Sequence, residues 1–563
     1  MPELKKFVKL LFILLPAALV FSFAATAETP SNPQDVTYDI IFKGGKIMDG
    51  TGNPAYYGDI AVRDGEIAYV GDLSGANAGR TIDITGHVIA PGFIDIHTHA
   101  EDAMTHDEPK RRAAPSDVMQ GVTSIVINQC GRSPIPLKDQ IEEIRDKGTG
   151  PNVMALVGHG AVRREVMGND FRRPATEDEI REMRAIVRQA MEDGASGMSA
   201  GLEYVPGRWS ETKEVAALVE ELVPFGGVFH NHMRSEGTDP MWYWPSQDEP
   251  GPPTLLDAVR ESIEIAETTG GKVNISHIKV KGAHYWGASH NIIRLINEAR
   301  ERGVDIWADQ YTYNTTGTDG STVLLPPWIR DHREDEENYD ELLSRLLAHP
   351  EKAEMIRKDI EHEISRRGGE NELLILEHPD EELEGKTLRE LADKKELSPV
   401  ETAIEMQMEG DVERFGGALL RGFSLSEYDV ENYMKQPWVA TASDGRVRVP
   451  ELDDGFVHPR FYGTFPRKIR HYAMERGVIS VEDAIRSSTS LPAQIHGIMD
   501  RGLIREGMHA DIVVFDPENI GDKATFFEPH QYPEGIEFVM VNGMFVVEDG
   551  EPTWELPGDF IKP

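Results

Sequence analysis

Several widely separated segments of this 563-residue chain carry side chains that can bind a metal or move a proton: His97 and His99, Cys130, His232, His277 and Asp444. Each stands at or just past the end of a short apolar run with strand character. His97 and His99 flank Thr98, and strand alternation points both imidazoles the same way, so one cation can take both. Imidazole and thiolate donors favour Zn2+ over Mg2+ or Ca2+, which take oxygen ligands. The five candidate ligands exceed what one tetrahedral zinc needs. Either two metals bind, or one binds tightly beside a weak or empty second position. Asp444 follows Val439–Ala442 and could accept a proton from an attacking water and pass it to a leaving group. The same Ser443-Asp444-Gly445 composition also makes an ordinary turn. The set as a whole points to metal-dependent hydrolysis.

Each residue has a plainer reading. His232 or His277 alone would be a hydrogen-bonded core histidine, and His230 rivals His232 because both face the same side of their strand. His159 ends a strand and could either line a pocket or be buried. Cys130 is the only cysteine, so no intramolecular disulfide can form. Free thiols are commonly buried and inert, but its polar Asn128-Gln129-Cys130-Gly131 corner favours a metal thiolate.

The elements that must position these groups follow from the hydrophobic pattern. Eight candidate strands run at Phe93–Ile96, Thr123–Ile127, Val153–Val157, Ser196–Ser199, Gly227–Phe229, Val273–Ser276, Asp305–Ala308 and Val439–Ala442. Amphipathic helices intervene, as at Thr254–Thr269 and Asn291–Arg302. No glycine-rich phosphate fingerprint opens a βα turn, so a (β/α)8 barrel spanning 91–495 is expected rather than a doubly wound sheet. In such a barrel the catalytic groups project from the C-terminal strand ends. Short strands between turn signals in 38–90 and again in 496–563 predict one small β-sandwich built from both ends of the chain. A long, charged, mostly helical stretch at about 331–407 reads as an insertion near the barrel mouth, serving as a lid, a surface elaboration or an oligomer contact.

The formal net charge of -39 argues against a nucleic-acid partner, and it means that an anionic substrate needs local cations. Lys5, Lys6 and Lys9, the apolar run Leu10–Phe23 and Ala25-Thr26-Ala27 read as a signal peptide over 1–27, with a linker over 28–37. The expectation is export to a bacterial periplasm or beyond, with no stable membrane insertion after cleavage.

The Pro91–His99 run, the split sandwich and the final Ser-Asp-Gly resemble the amidohydrolase superfamily. The Asn-Gln-Cys-Gly corner, His232–Gly237, Ser276–Lys279, Ala308–Tyr311 and His458-Pro459-Arg460 resemble, more closely, the D-aminoacylases (N-acyl-D-amino-acid deacylases) over nearly the whole mature chain. The resemblance implies zinc-dependent cleavage of N-acyl-D-amino acids, with Cys130, His232 and His277 holding the tight zinc. It implies that His97, His99 and Asp444 frame the second position, and that Lys279, Tyr311 and Arg460 hold the anionic substrate. The chain departs from the family pattern at Thr312, where proline is frequent, and in a longer Val447–Asp454 stretch. Other C–N hydrolases of the same scaffold, such as dipeptidases and hydantoinase or dihydroorotase relatives, are the alternative. Hydantoinase-like chains bridge two metals with a lysine on the fourth strand, whereas Gly197–Gly201 has none.

Overall fold

The computed structural model describes residue 34 and residues 36–317 and 322–562. The expected signal segment, 1–27, and nearly all of the linker at 28–37 lie outside the described residues. Among the described residues no helix is long and apolar enough to cross a membrane.

Eight parallel strands form the barrel: Phe93–Asp95, Val122–Ile127, Asn152–Gly158, Gly197–Gly201, Val228–His232, Lys272–Ile275, Ile306–Gln310 and Val439–Thr441. They pair in chain order, and each falls at an expected strand. Runs such as Val122–Ile127 are buried throughout, as a parallel sheet covered on both faces requires, Thr123 and Ser124 included. Two of the helices between them, Glu177–Asp193 and Leu255–Thr269, start at capping boxes. Thr254 and Asp257 form a capping box that begins the helix Leu255–Thr269, which buries Leu255, Val259, Ile263 and Ala266.

The first and eighth strands meet at a seam rather than along a full ladder. Asp444 N donates to the His97 carbonyl at 2.9 Å and His99 N to the Gly445 carbonyl at 2.7 Å. Below this seam the buried Asp95 accepts Ser443 N on both oxygens at 3.1 Å, and its Oδ1 also takes His97 N at 3.1 Å. Burial pushes the Asp95 carboxyl up to about 7 against these hydrogen bonds.

Strands from both ends of the chain form one nine-stranded sheet. Ile512–Phe515 pairs antiparallel with Val88–Pro91, which in turn lies parallel to the end of Thr37–Ile47. Alternation assigns the two faces. Ile512 and Val514 join Phe42, Ile60, Val62, Phe538 and Met540 in the core between the two ends of the chain. Val513 and Phe515 belong to the core shared with the barrel.

Between the seventh and eighth barrel strands lie the helices Tyr339–Leu347, Pro350–Arg366, Leu388–Lys395 and Pro399–Glu409 and an antiparallel pair, Leu373–Glu377 with Leu419–Gly422. They enclose their own core, including Leu342, Ile356, Ile360, Leu391, Ile404 and Leu420. This unit runs on to Gly422, past the 407 read from the sequence, because Leu419–Gly422 is a four-residue strand with no periodicity of its own. It touches the barrel mouth where Gly282 N donates to Ser424 O at 2.8 Å and Ala283 N to Ser365 O at 3.2 Å.

Candidate active site

Cys130 lies at the centre of the strand ends. Its Sγ stands 3.7 Å from His232 Nδ1 and 3.9 Å from Nε2 of each of His97, His99 and His277. Three of the residues gathered here leave their strands through left-handed backbone: Cys130 at φ 57°, His277 at φ 36° and Asp444 at φ 49°. Such conformations cost on the order of 1–3 kcal/mol outside glycine and persist only where the surroundings impose them. Each turns the chain sharply at a strand end.

The donor set fits a zinc ion. Tetrahedral Zn–S and Zn–N bond lengths put neighbouring donors about 3.3–3.6 Å apart. The thiol–imidazole spacings lie a few tenths of an ångström beyond this, and His232 Nδ1 is 2.9 Å from His277 Nε2. Cys130 belongs to two trios, one with His232 and His277 and one with His97 and His99, each with donors within 4.8 Å of one another.

Each imidazole turns its other nitrogen toward a carboxylate. His232 Nε2 is hydrogen-bonded to Glu203 Oε2 at 3.1 Å, and His277 Nδ1 lies 3.2 Å from Glu236 Oε1 and 2.9 Å from Lys279 Nζ, which itself holds that carboxylate. His97 Nδ1 faces Asp309 Oδ1 at 3.5 Å and His99 Nδ1 faces Glu101 Oε1 at 3.9 Å, both outside hydrogen-bonding geometry. The acids are themselves anchored: Glu203 by Met241 N at 2.6 Å, and Asp309 by Asn274 Nδ2 at 2.6 Å and His277 N at 2.7 Å. Sequence reading missed all four acids. Glu203 and Asp309 were within its reach, because they stand at the ends of the fourth and seventh barrel strands.

Electrostatics follow from this packing. Burial pushes the Cys130 thiol up, but the surrounding imidazoles outweigh it and hold the group well below the usual thiol range. Burial lowers His97 and His232, yet their acidic neighbours, Asp309 for His97 and Glu236 for His232, carry them to about 9 and about 10. Asp444 is pushed up by burial and held well below the carboxylate range chiefly by Arg460, with His99 adding to it.

Asp444 Oδ1 lies 3.2 Å from His99 Nε2 and 3.6 Å from His97 Nε2, beside the thiol. A cavity of about 260 Å³ opens here, lined by His99, His232 and His277 together with Lys279, Lys281, Tyr311, Arg367, Asp444 and Arg460. Arg460 Nη1 and the Tyr311 hydroxyl are buried without a hydrogen-bond partner among the described residues, and the guanidinium carbon stands 4.7 Å from the Tyr311 ring centre. Lys279 is at the cavity but engaged, its Nζ 2.6 Å from Glu236 Oε1. His230 lies away from the thiol, its Nε2 3.1 Å from His496 Nε2. His159 is buried on Glu214 at 2.9 Å.

The sequence pattern of the amidohydrolase family matches residues 80–226 and 345–547, and the chain belongs to that family. It is 31% identical to the D-aminoacylase of Alcaligenes xylosoxydans xylosoxydans over 92% of this chain and 95% of that one. It is 30% identical to the N-acyl-D-glutamate deacylase of the same organism over 93% and 96%. The fold matches the N-acyl-D-glutamate deacylase from Bordetella bronchiseptica, solved with zinc and a phosphonate inhibitor that mimics the tetrahedral intermediate. That match has a TM-score of 0.71 at 27% identity and covers 94% of this chain and 100% of that one.

Proposed function

We propose that this protein hydrolyses the amide bond of N-acyl-D-amino acids in a zinc-dependent reaction, releasing a carboxylate and the free D-amino acid. The observation that carries the reading is the single thiol set among four imidazoles with Asp444 beside them. The D configuration is taken from the activities named for the full-length relatives.

Cys130, His232 and His277 would hold the tighter zinc, and His97, His99 and Asp444 would frame a weaker position. The contrast in backing supports this order, because Glu203 hydrogen-bonds His232 at 3.1 Å and His277 Nδ1 is met by Lys279 at 2.9 Å and Glu236 at 3.2 Å, whereas carboxylates face His97 and His99 only at 3.5 and 3.9 Å. A zinc ion there supplies Lewis acidity toward the acyl oxygen and makes water more acidic.

The protein's own groups do the rest. Asp444 takes a proton as water adds to the acyl carbon, then delivers it to the amide nitrogen as the C–N bond breaks. Arg460 keeps Asp444 ionised, and its unpartnered Nη1, with the Tyr311 hydroxyl, offers two donors to the substrate α-carboxylate. Lys279 adds positive charge to that end of the cavity while neutralising Glu236. The basic and apolar N-terminal segment supports action outside the cytoplasm.

The test is amine release by the zinc-loaded protein from matched N-acetyl-D- and N-acetyl-L-amino acids, with Asp444→Ala as control. D-selective release that the substitution abolishes is the expected result. Release from neither series sinks the reading, and equal release from both removes the chirality.

A further inference from the structure

The cavity holds more positive charge than an α-carboxylate requires. Lys279, Lys281, Arg367 and Arg460 all line it. Three of them are already paired: Lys279 with Glu236 at 2.6 Å, Arg460 with Asp444 at 2.9 Å and Arg367 with Glu363 at 2.7 Å. Lys281 is not. Among the described residues no carboxylate lies within ion-pair distance of its ammonium, although the residue is only 9% exposed. Burial pushes that ammonium down, Glu203 and Glu236 oppose the effect, and Arg367 and Arg366 add to it. Arg367 is fixed through Nε to Glu363 Oε1 at 2.7 Å. Neither terminal nitrogen of its guanidinium donates a hydrogen bond among the described residues.

The two cations come from different parts of the molecule. Lys281 is held in the loop after the sixth barrel strand, where its N donates to Glu236 O at 2.9 Å. Arg367 caps the insertion helix Pro350–Arg366. Gly282 brings them together, since a Cβ on it would lie 3.5 Å from Arg366 Cα. A buried ammonium without an ion-pair partner is costly, and an anion that meets Lys281 and the terminal nitrogens of Arg367 offsets that cost. In a chain of net charge -39 such a pair is not generic surface polarity. Lys281 lies two residues beyond Lys279, which the deacylase reading sets at the amino-acid end of the cavity.

We propose that Lys281 and Arg367 form a subsite for a second carboxylate, carried on the side chain of the amino-acid part of the substrate. The inference rests on the deacylase reading and extends it to acidic D-amino acids. It also assigns the insertion a direct role in substrate choice, through Arg367.

The experiment compares kcat/KM for N-acetyl-D-glutamate with N-acetyl-D-glutamine, and for the aspartate and asparagine pair, in the wild type, Lys281→Gln and Arg367→Gln. Each pair differs only in the charge, and a ratio within one preparation is independent of the fraction that folds. The acid is expected to lead by roughly tenfold to a hundredfold, and each substitution to cut that ratio at least tenfold, as expected for loss of a charge-assisted hydrogen bond. A wild type that prefers the amides, or variants that leave the ratio intact, overturns the subsite while leaving the deacylase reading standing. A Lys281 effect confined to N-succinyl-D-alanine against N-butanoyl-D-alanine also overturns it, by placing the carboxylate on the acyl side. Calorimetric binding of D-glutamate and D-glutamine to the same zinc-loaded proteins decides the matter if no N-acyl compound turns over. Tighter D-glutamate binding that Lys281→Gln removes supports the subsite, and equal binding overturns it.

Discussion

Arg460 grips one residue twice: its Nη2 stands 2.9 Å from Asp444 Oδ2, and its Nε donates to the Asp444 carbonyl at 2.9 Å. One planar guanidinium therefore sets both the charge and the backbone of the proposed proton carrier. Arg460→Met is expected to cost about 2–5 kcal/mol in kcat/KM, the usual price of unpairing a buried charge. Arg460→Lys should recover little, because an ammonium cannot reproduce the fork. Steady-state kinetics that find Arg460→Lys near wild type would show that only the charge matters.

Asp444→Asn keeps the shape and removes the base. Turnover is expected to fall by about 10²–10⁴. Metal content, measured by elemental analysis after dialysis, should stay close to wild type at the Cys130, His232 and His277 position. Loss of both together would make Asp444 a ligand first and a proton carrier second.

The unequal carboxylate backing gives an ordered expectation for metal removal. Glu203 hydrogen-bonds His232 at 3.1 Å, whereas Glu101 only faces His99 at 3.9 Å. Glu203→Gln should weaken zinc binding about 10–100-fold in chelator competition, the range typical of a partner to a metal-bound histidine. Glu101→Gln should have the smaller effect on the tight ion.

The insertion carries a buried acid whose role is stability. Burial pushes the Glu363 carboxyl up, but Arg366 and Arg367 outweigh it and hold it at about 2. A carboxylate depressed in the folded state stabilises above its unfolded value, roughly 4.3. That contribution is lost as pH falls from there toward about 2. Glu363→Gln should therefore cost on the order of 3 kcal/mol at neutral pH and progressively less below pH of about 4. Thermal denaturation at pH 7 and pH 3 tests this, and a gap that widens in acid would contradict it.

The barrel was legible because its strands are continuous buried runs, and the metal-site candidates because they share one position, the strand end. The acids behind the histidines were not legible. In a chain with 97 Asp and Glu, an acid becomes significant only through its partner, and Glu203 and His232 are brought together by two adjacent strands. Lys279 shows the converse limit. The sequence places it at the substrate, but only the fold shows that Glu236 already occupies its charge. The strand Leu419–Gly422 was invisible because its partner, Leu373–Glu377, lies more than forty residues earlier.

The seam between the first and eighth strands also sets an order of assembly. His97 and Asp444 exchange the bond that closes the barrel, and nearly 350 residues separate them in the chain. A growing polypeptide that has not yet passed Gly445 can hold neither the closed barrel nor the complete site. Strand Ile512–Phe515 must then reach back to Val88–Pro91, which leads directly into the first barrel strand. Contacts of such sequence separation form late and slowly, so a chain shortened before Gly445 should lose the reaction centre entire rather than retain a weakened one.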